Sequence, residues 1–345
     1  MLYTMQNKLF AAIRTSGSGE LALIEQLRRR LARQSTAGLP LGIGDDCALL
    51  RLRRGEEIAI TTDLSIDGRH FRLAWHLPES IGHRALARGL SDLAAMGARP
   101  VAAFLSLGLP KALTRAGRRQ PSWFERFFDG FLALAHANRT PLAGGDLSES
   151  PIAMADIVLA GAVPRGRALL RSGARPGDRI FVSGALGGSA AGLSRLRRLA
   201  DAAKTSTALP KNSEALAPHL YPLPRIAQGL WLQRRGIATA AIDLSDGLST
   251  DLAHVCHESR VAAEVDPESI PIHGAASLAQ ALHGGEDYEL LFTAPAPARI
   301  PSSIAGVPIT CIGRITRRRA GKPVITLLTQ EGREPITPRG WQHFA

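Results

Sequence analysis

The chain has 345 residues, 45% hydrophobic and 21% charged, which excludes a disordered polymer and leaves enough apolar material for two domains. A formal charge of +12 invites a nucleic-acid reading, but the arginines are spread over many segments and the aromatics (5%) do not interleave with them, so no specific nucleic-acid partner is expected. Three scattered cysteines (Cys47, Cys256 and Cys311) exclude a disulfide framework and a cysteine-built zinc site.

Residues 1–16 read as an N-terminal extension whose apolar stretch, Leu9 to Ile13, is too short for a signal-peptide core. No run approaches the ~18 apolar residues of a membrane span, so a cytoplasmic protein is expected. Leu21, Leu23, Ile24, Leu27 and Leu31 predict a helix over Glu20–Arg33. Strands are predicted at Ile58–Thr62, Val101–Leu107 and Ile152–Val163, with helices at Glu79–Met96 and Ser122–Asn138 between them. The Arg-, Gly- and Pro-rich stretch Val163–Asp178 reads as a junction, dividing a domain at 17–163 from one at 164–345. Beyond it, strands are predicted at Arg179–Ser183, Thr239–Ile242, Tyr288–Thr293 and Ile309–Ile315. Helices are predicted near Pro224–Arg235, Ser249–Glu258 and His273–Leu282, and Ala200–Leu216 reads as a loop. The fold class is α/β in two domains.

Aspartates recur just after apolar runs, beside glycine or a hydroxyl, at Asp46, Asp63, Asp146, Asp243 and Asp246. Carboxyl ends of strands carry ligands in α/β domains, although a single such aspartate is as well explained by a cap or a turn. Asp92 adds a carboxylate at the edge of an apolar helix face, where it needs either Arg88 or a metal ion as partner. Two carboxylates ~4 Å apart repel by about 4 kcal/mol at an effective dielectric near 20, so a converging set requires cations. Hard oxygen donors without histidine or cysteine neighbours point to Mg²⁺ (or Ca²⁺ or Mn²⁺), completed by substrate phosphates. No P-loop and no protein-kinase signature is present. The run Gly184–Gly192 reads equally as a phosphate cradle or as close strand–helix packing.

An ordered set of strings resembles the thiamine-monophosphate kinase family, in the superfamily that includes aminoimidazole ribonucleotide synthetase and selenide water dikinase. These are Gly42–Leu50, Thr61–Asp63 with His70 and Phe71, Leu90–Ala98, Gly144–Asp146, Arg171–Asp178, Ala241–Leu248, Gly284–Phe292 and the C-terminal Trp341 to Ala345. The resemblance implies an N-terminal mixed-sheet domain that binds ATP and Mg²⁺ and joins its twin in a symmetric homodimer sheet or barrel, followed by a C-terminal α/β domain. It implies that Asp46, Thr61, Thr62, Asp63, Asp92, Asp146, Asp243 and Asp246 hold several Mg²⁺ ions. Gly145, Asp146, Arg171 and Ser245 would contact ATP, and His70, Glu286 and Trp341 would contact thiamine monophosphate. Asp63, Asp146, Arg171 and Asp243 would carry the catalysis, and a monovalent cation is left open. Leu147 to Ser150 depart from the family pattern, which leaves the grip on the adenine unassigned.

The activity implied is direct, in-line transfer of the γ-phosphate of ATP onto the phosphate of thiamine monophosphate. That acceptor, with a second pKa near ~6, is largely dianionic at neutral pH and needs no general base. A covalent aspartyl-phosphate is the alternative route. Rival activities are another ATP-using enzyme of the superfamily acting on a different small substrate, a metal-dependent phosphatase and a nucleic-acid binder.

Overall fold

The structure, a computed structural model, describes residues 19–31, 38–117, 120–203 and 214–340. The extension at 1–16, the centre of the expected loop at 200–216 and Trp341 lie outside the described residues. The first unit begins with helix α1 (Glu20–Leu31) and builds a four-stranded sheet from β1 (Glu56–Ile66), β2 (Arg99–Leu109), β3 (Leu142–Glu149) and β4 (Met154–Pro164). The order is β1-β4-β2-β3; β4 runs antiparallel to both β1 and β2, and β2 is parallel to β3. Parallel neighbours need a crossover, and helix α3 (Trp123–Ala137) supplies it. Helix α2 (Pro78–Ala95) links β1 to β2.

Both helices lie on one face of the sheet. Helix α3 starts at a capping box in which Ser122 Oγ accepts from Glu125 N while the Glu125 carboxylate accepts from Ser122 N. Helix α2 is buried nearly all round, with Ile81, Leu86, Leu90 and Leu93 at most 2% exposed. The two helices cross where backbone meets backbone. A Cβ on Gly82 would stand 2.0 Å from the Phe127 carbonyl oxygen, and one on Gly130 would stand 1.8 Å from that of Glu79. Only glycine allows so close an approach.

The second unit is a sheet in the order β12-β11-β7-β10-β5-β8-β6. Its strands are β5 (Arg179–Ser183), β6 (Ala240–Asp243), β7 (Val261–Val265), β8 (Leu290–Ala294), β9 (Ser303–Ile304, which pairs β10), β10 (Val307–Arg317), β11 (Ile325–Thr329) and β12 (Gly332–Ile336). Its helices are α4 (Gly188–Ala203), α5 (Ala217–Leu220), α6 (Ile226–Arg235), α7 (Leu248–Glu258) and α8 (Leu278–His283). One hydrophobic core runs through both units, joining Leu86, Leu90 and Phe127 to Phe181, Leu232 and Phe292. The α2 helix is therefore a shared wall between the units.

Several elements differ from the sequence expectation. Strand β3 was not expected, because glycine carries little strand propensity; pairing with β2 places Gly144 and Gly145 in it. Helix α4 carries the chain to Ala203, into the stretch expected to be a loop. The helix expected from His273 begins only at Leu278, where Ser277 and Gln280 form a capping box.

Candidate active site

A cleft of about 1460 Å³ opens between the two units. Asp63, His70, Arg88 and Asp92 line it from one side, and Asp243, Ser245, Asp246 and Glu286 from the other. Alternation along β1 turns Thr61, Asp63 and Ser65 toward α2, while Ile58, Ile60, Thr62 and Leu64 face the opposite side of the sheet. Asp243 ends β6, the strand-terminal place expected of these aspartates. Asp63 and Asp146 instead lie inside β1 and β3, since the alternation of side chains along a strand can deliver an acid from mid-strand.

Asp63, Asp92 and Asp243, three of the aspartates that line the cleft, each have one carboxylate oxygen held by a neighbour. Thr61 Oγ1 donates to Asp92 Oδ2, Arg88 Nη2 donates to Asp63 Oδ1 at 2.9 Å, and Ser91 Oγ donates to Asp243 Oδ2 at 2.7 Å. The last bond joins α2 to β6 across the cleft floor. Arg88 thus serves Asp63 rather than Asp92, because it projects toward the strand and also reaches Ser65 Oγ at 3.4 Å. Burial, followed by the charge of Asp243, raises the pKa of Asp92 above the ordinary carboxylate range. Burial also raises that of Asp243, with Asp63 adding repulsion and Ser91 and Arg171 opposing it. Carboxyl groups raised by burial and like charge mark a place that favours a cation.

Two loops form the far wall. Leu244 N donates to the Glu289 carbonyl at 2.8 Å, Glu286 N to Ser245 at 2.8 Å and Tyr288 N to Leu244 at 2.9 Å, so the segments 243–247 and 284–289 zip together. Glu286 and Tyr288 adopt left-handed backbone (φ +66° and +52°), a strain seen where function fixes geometry. Arg84 Nη2 donates to Glu286 Oε1 at 2.6 Å. Burial alone would raise the Glu286 pKa, but the charges of Arg84, which also donates to it, and of Arg88 bring it down to about 2. Asp251 accepts from Asp246 N at 3.1 Å and Gly247 N at 3.0 Å, fixing the 243–247 loop from below. At the start of α4, Asp287 accepts from Gly187 N at 2.6 Å and Ser189 N at 3.1 Å. The chain's own carboxylate therefore occupies the place where the Gly184–Gly192 run could have cradled a phosphate, and close packing is what remains.

Other expected site residues stand apart from the cleft of one chain. Asp46 is exposed in the irregular segment 41–55. Gly145 and Asp146 are exposed on β3, where the Gly145 backbone (φ +147°) passes so close to Leu105 that a Cβ would stand 1.9 Å from its carbonyl oxygen. Register aligns Asp63 with Ile157, Leu105 and Gly145. Asp63 and the segment with Asp146 are therefore three strand spacings apart, ~14 Å. Thr62 faces away from Asp63, so only its backbone can serve the cleft side. Arg171 is exposed and does not line the cleft, yet it lies near enough to lower both Asp92 and Asp243. Trp341 lies outside the described residues, although Pro338, Arg339 and Gly340 line the cleft. Sequence reasoning missed Arg84 as a site residue and weighed Arg88 only as a partner of Asp92; with Asp92 they form an i, i+4, i+8 charged stripe on an apolar helix, a readable signal.

Among the described residues no three acidic, cysteine or imidazole groups cluster around one metal position. Magnesium held by one or two carboxylates and finished by phosphates needs no such trio. Asp63, Asp92 and Asp243 offer hard oxygen, and each is tied by only one of its two oxygens in the bonds described above. Mg²⁺ fits this donor set.

Residues 44–164 match the N-terminal domain of AIR synthase related proteins, and residues 175–325 match the C-terminal domain. The chain is 41% identical over 341 residues to the thiamine-monophosphate kinase of Escherichia coli K12, covering 95% of this chain and 98% of that one. The crystal structure of thiamine-monophosphate kinase from Stenotrophomonas maltophilia K279a is similar at 39% identity and TM-score 0.76, covering 90% of this chain and 96% of its own. AaThiL complexed with AMPPCP and TMP is similar at 30% identity and TM-score 0.71, with 96% and 99% covered.

Proposed function

This chain belongs to the thiamine-monophosphate kinase family, and from that membership we propose that it transfers the γ-phosphate of ATP to thiamine monophosphate, yielding thiamine diphosphate and ADP. The observation that carries the reading is the convergence of Asp63, Asp92 and Asp243 from both units on one cleft that also presents Glu286. Two polyanionic substrates repel each other, and catalysis of their reaction is mostly positioning and charge neutralisation. Magnesium, when bound, would neutralise the phosphates and hold them in line.

The chain's own groups do the rest. Thr61, Arg88 and Ser91 fix the orientation of the three carboxylates. Arg171 adds positive charge beside them, and Ser245, Gly145 and Asp146 are read as nucleotide contacts. His70, Glu286 and Trp341 are read as contacts to the acceptor, with Asp46, Thr61, Thr62, Asp146 and Asp246 completing the magnesium set. Catalysis is assigned to Asp63, Asp146, Arg171 and Asp243. The acceptor phosphate already carries the lone pair that attacks, so no side chain is needed to remove a proton. We assign 17–163 as the ATP- and magnesium-binding dimerisation domain and 164–345 as the α/β domain, and we place the enzyme in the cytoplasm; no helix among the described residues is long and apolar enough to cross a membrane.

A homodimer supplies what one chain lacks. The face of the first sheet turned away from the helices exposes Ile58 (47%), Ile60 (63%) and Leu64 (44%), an apolar surface on the strand that ends the sheet among the described residues. A second copy that closes the sheet into a barrel, with β1 of each beside β3 of the other, would cover this face and carry a partner Asp146 to Asp63.

The test is an endpoint assay with thiamine monophosphate, ATP and Mg²⁺. Thiamine diphosphate and ADP should form one-to-one, with loss of at least ~10³-fold in Asp63→Ala and complete loss in EDTA. ADP without thiamine diphosphate would mean a different acceptor, and free phosphate in place of thiamine diphosphate would mean a phosphatase.

A further inference from the structure

Arg84, His219 and His76 are buried at the edge of the cleft, and the proposed reaction assigns them no role. Arg84 lies in α2, yet its guanidinium reaches three other segments. Nη2 donates to Glu286 Oε1 at 2.6 Å and to the His70 carbonyl at 3.3 Å. Nη1 donates to the His219 carbonyl and to His219 Nδ1, the latter at 3.1 Å.

Arginine has donors only, so His219 Nδ1 must be the lone-pair nitrogen. The proton of His219 then sits on Nε2 and is donated to His76 Nε2 at 3.1 Å. His76 Nδ1 lies 3.2 Å from both the amide and the carbonyl of Arg72, and once its Nε2 accepts, its proton sits on Nδ1 and is donated to the carbonyl. A directed chain of hydrogen bonds thus runs from α2 through α5 to the loop that carries His70. Burial, and then the charge of Arg84, keeps both imidazoles neutral, with the pKa of His76 down to about 4 and that of His219 well below its ordinary value. Glu286, held in strained left-handed backbone, is the carboxylate that receives the Arg84 charge.

We propose that Arg84 is a positioning residue for the acceptor: one planar guanidinium grips the Glu286 carboxylate and the His70 carbonyl together and so sets the spacing between these two acceptor contacts. The inference rests on the reading of His70 and Glu286 as contacts to thiamine monophosphate. It predicts an effect on one substrate only, because the three aspartates are held by other partners.

Steady-state kinetics with each substrate varied in turn test it on wild type, Arg84→Met, Arg84→Lys and Glu286→Gln, with melting temperatures recorded beside them. Arg84→Met should raise KM for thiamine monophosphate roughly 10- to 100-fold, with KM for ATP within about twofold of wild type. Arg84→Lys keeps one charged donor for Glu286 but loses the planar fork, and should raise the same KM roughly 3- to 10-fold. Adding Arg84→Met to Glu286→Gln should cost little beyond Glu286→Gln alone. Equal rises in both KM values, or an unchanged acceptor KM in Arg84→Lys, would overturn the proposal even if Arg84→Met fails to fold. If Glu286→Gln leaves the acceptor KM unchanged, the reading of Glu286 falls and the role of Arg84 falls with it. If Glu286→Gln raises it and the Arg84 variants do not, only the Arg84 proposal fails.

Discussion

Asp251 shows what the site costs one residue. It is 2% exposed, and its carboxylate ties down the loop that presents Ser245 and Asp246. Burial, with the charges of Asp243 and Asp246, pushes its pKa up to about 8 despite those two bonds. A folded-state value above the unfolded one means that the native protein holds the proton. The associated stability is present at low pH and is lost as pH rises toward 8. His76, His83 and His219 are shifted the other way, but they stop contributing above the unfolded imidazole value near ~6.5. Between pH 7 and 8 this group alone should cost chelated protein about 1 kcal/mol, and Asp251→Asn, which keeps a backbone acceptor, should remove that share, leaving the smaller loss due to Asp92 and Asp287, whose pKa values burial also raises. Urea denaturation in EDTA at the two pH values measures both slopes; an unchanged slope in the variant would refute the assignment. At this scale the sequence disclosed Asp63, Asp92 and Asp243 through their neighbours. It did not disclose that Arg88 belongs to Asp63, because that choice depends on how far β1 lies from α2.

Among elements, α2 and its crossing with α3 fix the geometry of the cleft. Thr61, Asp63, Arg84, Arg88, Ser91 and Asp92 meet because α2 packs flat on β1 and against β6. The crossing depends on Gly82 and Gly130. In Gly130→Ala the new methyl meets the Glu79 carbonyl at 1.8 Å, so α3 must move. We expect a loss of at least ~2 kcal/mol in thermal or urea unfolding. Gly274→Ala, with open space around its Cβ, should stay within about 0.5 kcal/mol and serves as the control. A neutral Gly130→Ala would show that the crossing tolerates separation. The spacing of apolar residues made α2 and α3 legible. Strand β3 was not, because its glycines carry little strand propensity and are brought into the sheet by pairing with β2.

For the whole molecule, the separation of Asp63 from Asp146 across the first sheet decides what a dimer must do. If each site takes Asp63 from one chain and Asp146 from its partner, two dead variants can repair each other. Asp63→Ala and Asp146→Ala, unfolded and refolded together, should recover about a quarter of wild-type activity, since half of the dimers are mixed and each mixed dimer holds one intact site. A mixture as inactive as its components would place both residues in one chain's site. Exposure of Ile58, Ile60 and Leu64 predicts the same assembly by independent means, which sedimentation can read directly.

By itself the sequence determined the family, the α/β class and which acids to suspect, because short strings of glycine, hydroxyl and carboxylate record local chemistry. Tertiary structure alone decided which of those acids share a cleft. It set Thr62 and Asp146 apart from Asp63, and gave the Gly187 and Ser189 amides to Asp287 rather than to a phosphate. It also joined Arg84 to Glu286 across 202 positions of chain. Register, strand alternation and helix crossing are long-range quantities, fixed by packing between segments that no local pattern connects.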